Sequence, residues 1–225
     1  RSCSGEMNRL LRFYHHGDAG DLQAVIRYSI SRYAYQEIVL VGFSMGGSLS
    51  IRAVAADPAS VPAAVKAVIA FSTPCNLESS VRQLMLPENR LYQSRFLRKL
   101  GEKIRAKAKM YPEQLRVEGY AQISNFFEFD DRYTAPLHGY KNAADFYARA
   151  SVAPLLPAIK VPTLLVQARN DSFLKPDCYG LEAADSNPYL LVELPEYGGH
   201  CGFQMRGSRN TWAEKRAVDF AQHLR

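Results

Sequence analysis

Apolar positions along the chain fall into two patterns, short continuous runs and segments with helical spacing. Residues 18–33 show helical spacing, and Asp18 is placed to cap the first turn. The run Ile38–Phe43 is rich in β-branched residues, which predicts a strand buried on both faces. A helix of small residues follows over 47–56, and Asp57-Pro58 ends it. The side chains predicted to share one face of the first helix are Leu22, Val25, Ile26, Ser29, Ile30 and Tyr33.

Three more apolar runs predict strands over 66–72, 163–168 and 189–194. A last helix is predicted over 210–224, with one apolar face turned inward. Strands that alternate with helices indicate an α/β fold, a mostly parallel and doubly wound sheet with helices on both faces. The inward side chains of the last helix are Trp212, Ala213, Ala217, Phe220, Ala221 and Leu224.

The alternation stops for roughly 90 residues between the second and third predicted strands, which is far more than a crossover needs. We therefore expect a single domain over residues 1–225 with a helical lid insertion at about 75–150, packed over one end of the sheet. No run reaches the roughly 20 apolar residues of a membrane span.

The positive charge is concentrated in the predicted lid. The chain carries a formal net charge of +6, and the segment from Arg82 to Glu118 holds ten Lys or Arg against four Asp or Glu. Elsewhere the two signs balance, and no zinc spacing or basic-aromatic interleaving indicates a nucleic-acid partner.

Residues 90–109 predict a basic amphipathic helix within this segment. One interpretation is a lid helix with a solvated basic face. The other is a face that contacts an anionic membrane surface or an anionic substrate. The predicted apolar face holds Phe96, Leu97, Leu100 and Ile104, and the basic side chains expected largely elsewhere are Arg95, Arg98, Lys99, Lys103 and Lys107.

The four cysteines, Cys3, Cys75, Cys178 and Cys201, lack the paired spacing of metal or redox sites. We interpret them as mostly buried free thiols of a reducing compartment, which favours a cytoplasmic location. The sequence requires neither a cofactor nor a metal ion.

The candidate chemistry begins at Gly42-Phe43-Ser44-Met45-Gly46, a G-x-S-x-G stretch between a strand and a helix. In such a nucleophile elbow the serine takes a strained backbone conformation. Side chains at positions 42 and 46 are expected to collide with the neighbouring strand and helix, hence the two glycines. This context predicts Ser44 as a catalytic nucleophile and the backbone N–H of Met45 as an oxyanion donor.

A serine hydroxyl needs a base, and His200 is the best placed of the five histidines because its glycine-flanked loop follows the fourth strand. The alternatives are His15, His16, His138 and His223. Asp171, in the turn after the third strand, is the candidate acid, and the order Ser44, Asp171, His200 is that of α/β-hydrolases. Its rivals are Asp177, Glu193, Glu196, Asp130 and Asp131.

Several stretches carry a family resemblance: RSCSGEMNRLLRFYHHGDAGDL, VGFSMGGS, FDDRYTAPLHGYKNAADFYARAS, NDSFL and GGHCGF. They resemble α/β-hydrolases of the YheT-like subfamily, which includes plant embryogenesis-associated and animal lipid-hydrolase relatives. The resemblance implies a carboxylic-ester hydrolase acting on an ester or lipid-like substrate, with Ser44, Asp171 and His200 as its triad. The elbow differs at Phe43, Met45 and Ser48, where Val, Leu and Asn are frequent.

The resemblance also implies an N-terminal half with further strands and an HG-type loop that donates a second oxyanion N–H. We therefore expect the strand at 38–41 to pair with an N-terminal portion of the same protein, and we interpret this chain as a fragment. Two alternatives to a serine esterase stay open. One is a catalytically impaired or non-enzymatic binding protein, and the other is an acyltransferase or thioesterase with the same triad.

Overall fold

The computed structural model describes residues 6–224, so Cys3 and the first five residues of the N-terminal motif lie outside the described residues. Its centre is a parallel sheet of four strands in the order β1-β2-β3-β4. This arrangement confirms the predicted fold class. The strands are β1 (Ile38–Phe43), β2 (Val65–Phe71), β3 (Thr163–Val166) and β4 (Leu190–Glu193).

Helices cover both faces of this sheet, as the alternating pattern predicts. Helices α1, α2 and α8 share a core with Val68 and Leu165 on one face, and α9 packs on Ile69 and Leu164 on the other. The neighbouring residues Val68 and Ile69 of β2 thus face opposite sides of the sheet, and so do Leu164 and Leu165 of β3, as expected for consecutive residues of a strand. The α-helices of the described residues are α1 (Gly20–Tyr33), α2 (Met45–Ala55), α3 (Leu77–Leu84), α4 (Arg90–Met110), α5 (Phe126–Phe129), α6 (Ala135–Leu137), α7 (Ala143–Ala150), α8 (Leu181–Ser186) and α9 (Trp212–Gln222).

Short helical turns complete the chain. Asp130–Thr134 forms a π-helical turn between α5 and α6. The 3₁₀ turns are Pro58–Ser60, Pro87–Asn89, Tyr120–Gln122, Ala153–Ala158 and Pro176–Cys178. Within residues 6–224 no helix combines the length and the apolar character needed to cross a membrane.

The prediction that strand β1 is buried on both faces is wrong. Within the described part of the chain, β1 pairs only with β2, so it forms an edge of the sheet. Leu40 is buried against α2, whereas Val41 on the opposite face is 50% exposed. The ring of Phe43 stacks on Phe71 at 4.9 Å and keeps an exposed side.

Helix α1 matches the predicted position but presents a narrower apolar stripe. Leu22, Ile26 and Ile30 pack against the core, while Val25 and Tyr33 are exposed, contrary to prediction. The helix begins at Gly20 with Ala19 in the N-cap position. Asp18 lies one residue earlier, where its Oδ1 accepts a hydrogen bond from the Gly20 N–H.

Helix α4 holds a buried lysine that the sequence pattern places on a solvated face. Lys107 is fully buried, so that prediction is wrong. Its Nζ donates hydrogen bonds to Asn8 Oδ1 at 2.7 Å and to the Leu10 carbonyl at 2.6 Å. It also reaches the Asn8 carbonyl, and burial lowers the pKa of the amine. Lys107 thus fastens residues 8–16, which we call the strap, to α4.

Candidate active site

Ser44 occupies the sharp turn between β1 and α2. Its backbone has φ 52° and ψ −119°, in a region that non-glycine residues rarely adopt. The Ser44 N–H donates to the Phe71 carbonyl at 2.8 Å, which ties the turn to β2. A Cβ added to Gly42 would lie 2.3 Å from the Gly46 carbonyl oxygen. The strained turn and the requirement for glycine at 42 both follow the prediction.

The second glycine of the elbow, Gly46, does not follow the prediction that a side chain there would collide with its neighbours. A Cβ added to Gly46 would meet no atom within 4 Å. A Cβ on Gly47 would lie 2.1 Å from Thr73 Oγ1, because α2 passes close to the segment after β2. The close packing that excludes a side chain therefore falls one residue later than predicted, at Gly47.

The structure brings together three residues that are distant in sequence. His200 Nε2 lies 2.9 Å from Ser44 Oγ, and His200 Nδ1 lies 2.9 Å from Asp171 Oδ2. The Asp171 side chain is 0% exposed, and its other oxygen accepts the Phe173 N–H at 2.9 Å. A buried carboxylate in this position fixes the imidazole orientation with Nδ1 as the donor.

The loop that carries His200 is held by two polar side chains that the sequence analysis did not single out. Asn170 Oδ1 accepts the N–H groups of Gly198 and Gly199 at 3.0 and 2.8 Å. Ser72 Oγ accepts the Cys201 N–H at 3.1 Å. In the sequence, only the position of Asn170 next to the candidate acid Asp171 indicates that Asn170 could support the site. The residues around Ser72, which follows β2, give no indication of its contact with the His200 loop.

Met45 is the first residue of α2, so its N–H has no preceding helical carbonyl as a partner. Ser44 stands in the N-cap position of the same helix. The positive end of the helix dipole therefore lies at the serine hydroxyl, where a negative oxygen would be stabilised.

The charge state of His200 depends on opposing effects. Burial lowers the pKa of the imidazole, but the hydrogen bond and charge of Asp171, with a contribution from Cys201, outweigh it. The result is a pKa raised to about 9. His200 consequently becomes a competent proton acceptor for Ser44 as the pH rises toward 9.

A cavity of about 370 Å³ opens beside Ser44 and His200. Apolar side chains of the helical segment between β2 and β3 form most of its wall. The strap contributes Phe13 and His15 among others. Apolar lining residues include Leu77, Val81, Leu84, Phe96, Leu100, Ile104, Phe126, Phe129, Phe146 and Phe173.

Two basic residues of α4 also line this cavity, Lys99 and Lys103. The sequence pattern places both largely away from the apolar face. Their contact with the cavity corrects that prediction, because residues three and four apart lie on one side of a helix. Arg95 and Arg98 are exposed, as expected.

The alternative histidines have other partners. His16 Nδ1 lies 3.4 Å from Ser48 Oγ, and its pKa is lowered to about 4 by burial, then by His15 and Arg52. His138 contacts the Thr134 carbonyl and the backbone of the strap, and its ring lies 4.3 Å from that of His15.

The alternative carboxylates also have other partners or are exposed. Asp177 accepts hydrogen bonds from Asn76 and Ser79, and Glu193 pairs with Arg216. Within residues 6–224 no group of three or more His, Cys, Asp or Glu is arranged to hold a metal ion. The remaining candidates are Asp131, which accepts the Ala143 N–H, Asp130, which accepts from Tyr147 and Thr134, the exposed Glu196 and the exposed His223.

Comparison with known proteins decides the family. Residues 4–203 match the family model described as the alpha/beta hydrolase fold. The chain belongs to the alpha/beta hydrolase fold family. This membership agrees with the parallel sheet and with the elbow after its first strand.

Relatives within the alpha/beta hydrolases include a protein of Escherichia coli (strain K12) assigned as an esterase, YheT, which confirms the expected resemblance. It is 33% identical over 227 residues, covering 98% of this chain and 65% of the relative. Phospholipase ABHD3 of Mus musculus is 29% identical, covering 90% of this chain and 49% of its own. The chain thus spans about half to two thirds of the length of these relatives.

A solved structure of this fold is the esterase Pf2001 of Pyrococcus furiosus. It is 18% identical, with a TM-score of 0.55, over 94% of this chain and 65% of that chain. At this identity the likeness concerns the fold alone.

Proposed function

We propose that the protein is a serine hydrolase that cleaves carboxylic esters through an acyl-enzyme. The observation that carries this proposal is the hydrogen-bonded chain from Ser44 through His200 to the buried Asp171. An alcohol, an imidazole and a carboxylate in this order activate the alcohol as a nucleophile.

In the proposed mechanism His200 Nε2 takes the proton of Ser44 Oγ as that oxygen attacks the ester carbonyl. The Met45 N–H then donates a hydrogen bond to the negative oxygen of the tetrahedral intermediate. His200 returns its proton to the leaving alcohol, and Asp171 stabilises the imidazolium between these two transfers. Water next attacks the acyl-enzyme with His200 as base, which releases the acid and restores Ser44.

The cavity wall supports an ester with an apolar acyl chain as the substrate class. Aromatic and aliphatic side chains dominate its lining, and burial of a chain against them is favourable. One relative is assigned as an esterase and another is named a phospholipase, and both names refer to hydrolysis of esters.

We also propose that residues 75–150 form a lid within a single domain. The helices α3, α4, α5 and α7 all contribute side chains to the cavity that Ser44 lines. A segment in this position can shield the bound acyl chain and the developing oxyanion from bulk solvent.

The first turns of α4 suit contact with an anionic lipid surface, which we propose as a further partner. Leu91 is 85% exposed and Tyr92 is also exposed, close to the exposed Arg95 and Arg98. Apolar and basic side chains together favour an anionic interface. Co-sedimentation with vesicles tests this, and binding that does not depend on anionic lipid content would refute it.

One edge of β1 pairs with no strand within residues 6–224, which supports the proposal that a strand from an N-terminal portion of the same protein pairs with it. An exposed apolar edge is otherwise prone to aggregation, and Val41 and Phe43 are exposed there. A loop beside such a strand is the proposed source of the second oxyanion donor. Kinetics of the full-length protein beside this chain test the idea, because equal rates would contradict it.

Acyl transfer to an acceptor other than water is a second candidate. A relative from Saccharomyces cerevisiae is named Medium-chain fatty acid ethyl ester synthase/esterase 2, 36% identical over 41% of this chain and 20% of its own. Analysis of products in mixtures of water and an alcohol separates hydrolysis from transfer. A thioester substrate tested in parallel separates thioesterase activity.

The experiment that tests the main proposal is hydrolysis of p-nitrophenyl esters of increasing chain length by the wild type and by Ser44→Ala. We expect turnover in the wild type and a loss of at least about a thousandfold in the variant. Absence of wild-type turnover in the full-length protein as well would favour a non-enzymatic binding protein.

A further inference from the structure

A second cavity lies in the proposed lid and is separate from the cavity beside Ser44. Its volume is about 700 Å³, and among the described residues none lines both cavities. The last turns of α4, the loop over 112–118 and the π-helical turn all contribute to its lining. We call this second cavity the basic groove, because its lining includes Arg105, Lys109, Arg116 and Arg132.

The positive charge of the basic groove is not balanced by ion pairs. Within residues 6–224 none of its four cations is paired with a carboxylate. Among the described lining residues, Glu118 is the one that carries a carboxylate. Glu102, one turn before Arg105 on α4, forms its ion pair with Lys99 at 2.9 Å. The groove therefore presents four positive charges against one negative charge, and an anionic ligand complements it.

Two arginines of the basic groove are held in place by a pair of aromatic rings. The Arg105 guanidinium lies 5.8 Å from the centre of the Tyr120 ring. The Arg132 guanidinium lies 5.5 Å from the centre of the Tyr133 ring, and its Nη2 donates to the Glu118 carbonyl. The centres of the two rings are 5.8 Å apart. Because neither ring lines the groove in the described part of the chain, the two guanidinium groups stand between the rings and the open space.

The size and the chemistry of the basic groove both point to a particular class of ligand. Pockets for small molecules have volumes of roughly 300–1,000 Å³, whereas a specific protein interface buries about 800 Å² on each partner. A guanidinium group matches the geometry of a phosphate with two parallel hydrogen bonds, and a group that is already ordered loses little freedom on binding. We propose that the basic groove binds a small soluble ligand with two or more adjacent phosphate groups.

Calorimetric titration of the protein with inorganic triphosphate tests this site without any enzymatic turnover. At about 0.15 M salt, where exposed charges are screened beyond about 8 Å, we expect one ligand per chain and a Kd below about 100 μM. Arg105→Gln with Arg132→Gln should weaken binding at least about tenfold, because both ordered guanidinium groups are lost. Absence of binding by the wild type at this salt concentration would overturn the proposal.

A second variant keeps the test valid if the loss of Arg132 disturbs the fold. Lys109 and Arg116 are exposed, and within residues 6–224 their side chains make no hydrogen bond. Lys109→Gln with Arg116→Gln should therefore leave the fold intact and weaken triphosphate binding at least about threefold. Unchanged binding in this variant would overturn the proposal.

The matched control removes the same charge from exposed positions earlier on α4, Arg95→Gln with Arg98→Gln. Arg98 precedes Arg105 by two turns, about 10 Å along the helix, so its charge is largely screened at the groove. The control should keep Kd within about twofold of the wild-type value. An equal loss in the control and in the groove variants would show a general attraction to the basic segment and overturn the proposal.

Two further probes distinguish the proposed ligand from other anionic partners. Hexaglutamate carries carboxylates instead of phosphates, and it should bind more weakly than triphosphate; equal or tighter binding would assign the groove to an acidic protein segment. Vesicles that contain phosphatidylinositol bisphosphate present phosphates on a membrane. Binding to these vesicles through the groove, without binding of free triphosphate, would overturn the assignment of a soluble ligand.

Discussion

His200 Nε2 lies 2.9 Å from Ser44 Oγ, across 156 positions of the chain. The elbow after β1 fixes the serine, and the loop after β4 brings the imidazole over the same end of the sheet. Parallel strands make this meeting possible, because their carboxyl ends gather at one edge of the sheet.

The pH dependence of turnover should follow the pKa of His200. Only the neutral imidazole accepts the serine proton, so kcat/KM should rise with pH, reach half its maximum near pH 9 and level off only above that pH. A pH–rate profile on a p-nitrophenyl ester, corrected for spontaneous hydrolysis, measures this limb. A flat profile between pH 6 and about 9 would contradict the assignment.

Asp171→Asn should lower kcat by about 10⁴-fold, the scale seen when the orienting carboxylate of such a triad is replaced. Without that charge, burial should dominate and shift the pKa of His200 downward. The shift is read from the residual activity, or from the imidazole proton resonances. Asp177→Asn is the matched control, because Asp177 contacts Asn76 and Ser79 instead.

Two alanine substitutions in the elbow should have opposite effects on the free energy of unfolding. Gly42→Ala places a Cβ 2.3 Å from the Gly46 carbonyl oxygen and should cost about 3 kcal/mol or more. Gly46→Ala meets no atom within 4 Å and should be neutral or add about 0.5–1 kcal/mol of helix stability. Urea unfolding measures both, and equal losses would show that the elbow packs differently.

Lys107→Met should destabilise the fold by about 1–3 kcal/mol, because it leaves the partly buried carbonyls of Asn8 and Leu10 without their donor. Lys109→Met, at an exposed position of the same helix, should change the free energy of unfolding by less than about 0.5 kcal/mol. Thermal and urea unfolding of the pair measure the difference. Equal stability of the two variants would refute the role given to Lys107.

Asp130 should make stability depend on pH. Its pKa rises from 3.8 unfolded to about 6 folded, so its favourable contribution is complete below the unfolded pKa and is lost as the pH rises through about 6. Relative to Asp130→Asn, the wild type should lose about 3 kcal/mol over this range. Asp185→Asn, at an exposed position, is the control and should follow the wild type.

The parts predicted from the sequence are those with local signals. Each strand shows as a contiguous apolar run, and Ser44 stands in a five-residue motif between a strand and a helix. Lys107 has no such signal, because its acceptors Asn8 and Leu10 lie about a hundred positions away. A basic residue in a basic stretch gives no local sign that distant carbonyls enclose it.

The sequence also does not show which glycine of the elbow is closely packed. Gly46 and Gly47 are adjacent, and only the position of Thr73 beside α2 shows which of them packs closely. The large apolar side chains of α4 predict its apolar face, but the cavity is also lined by the adjacent row of side chains on this helix. Lys99 and Lys103 lie in that row because long aliphatic stems can pack on apolar surfaces.

The central claim is that Ser44 is the nucleophile of this site. Mass spectrometry of the wild-type protein after reaction with a fluorophosphonate tests it directly, by locating the modified residue. We expect a single adduct on the peptide that contains Ser44, and turnover of the wild type should fall in proportion to the fraction of protein that carries this adduct. The His200→Ala variant should not be labelled. An adduct at another residue, or full turnover in protein whose Ser44 is completely modified, would contradict the account.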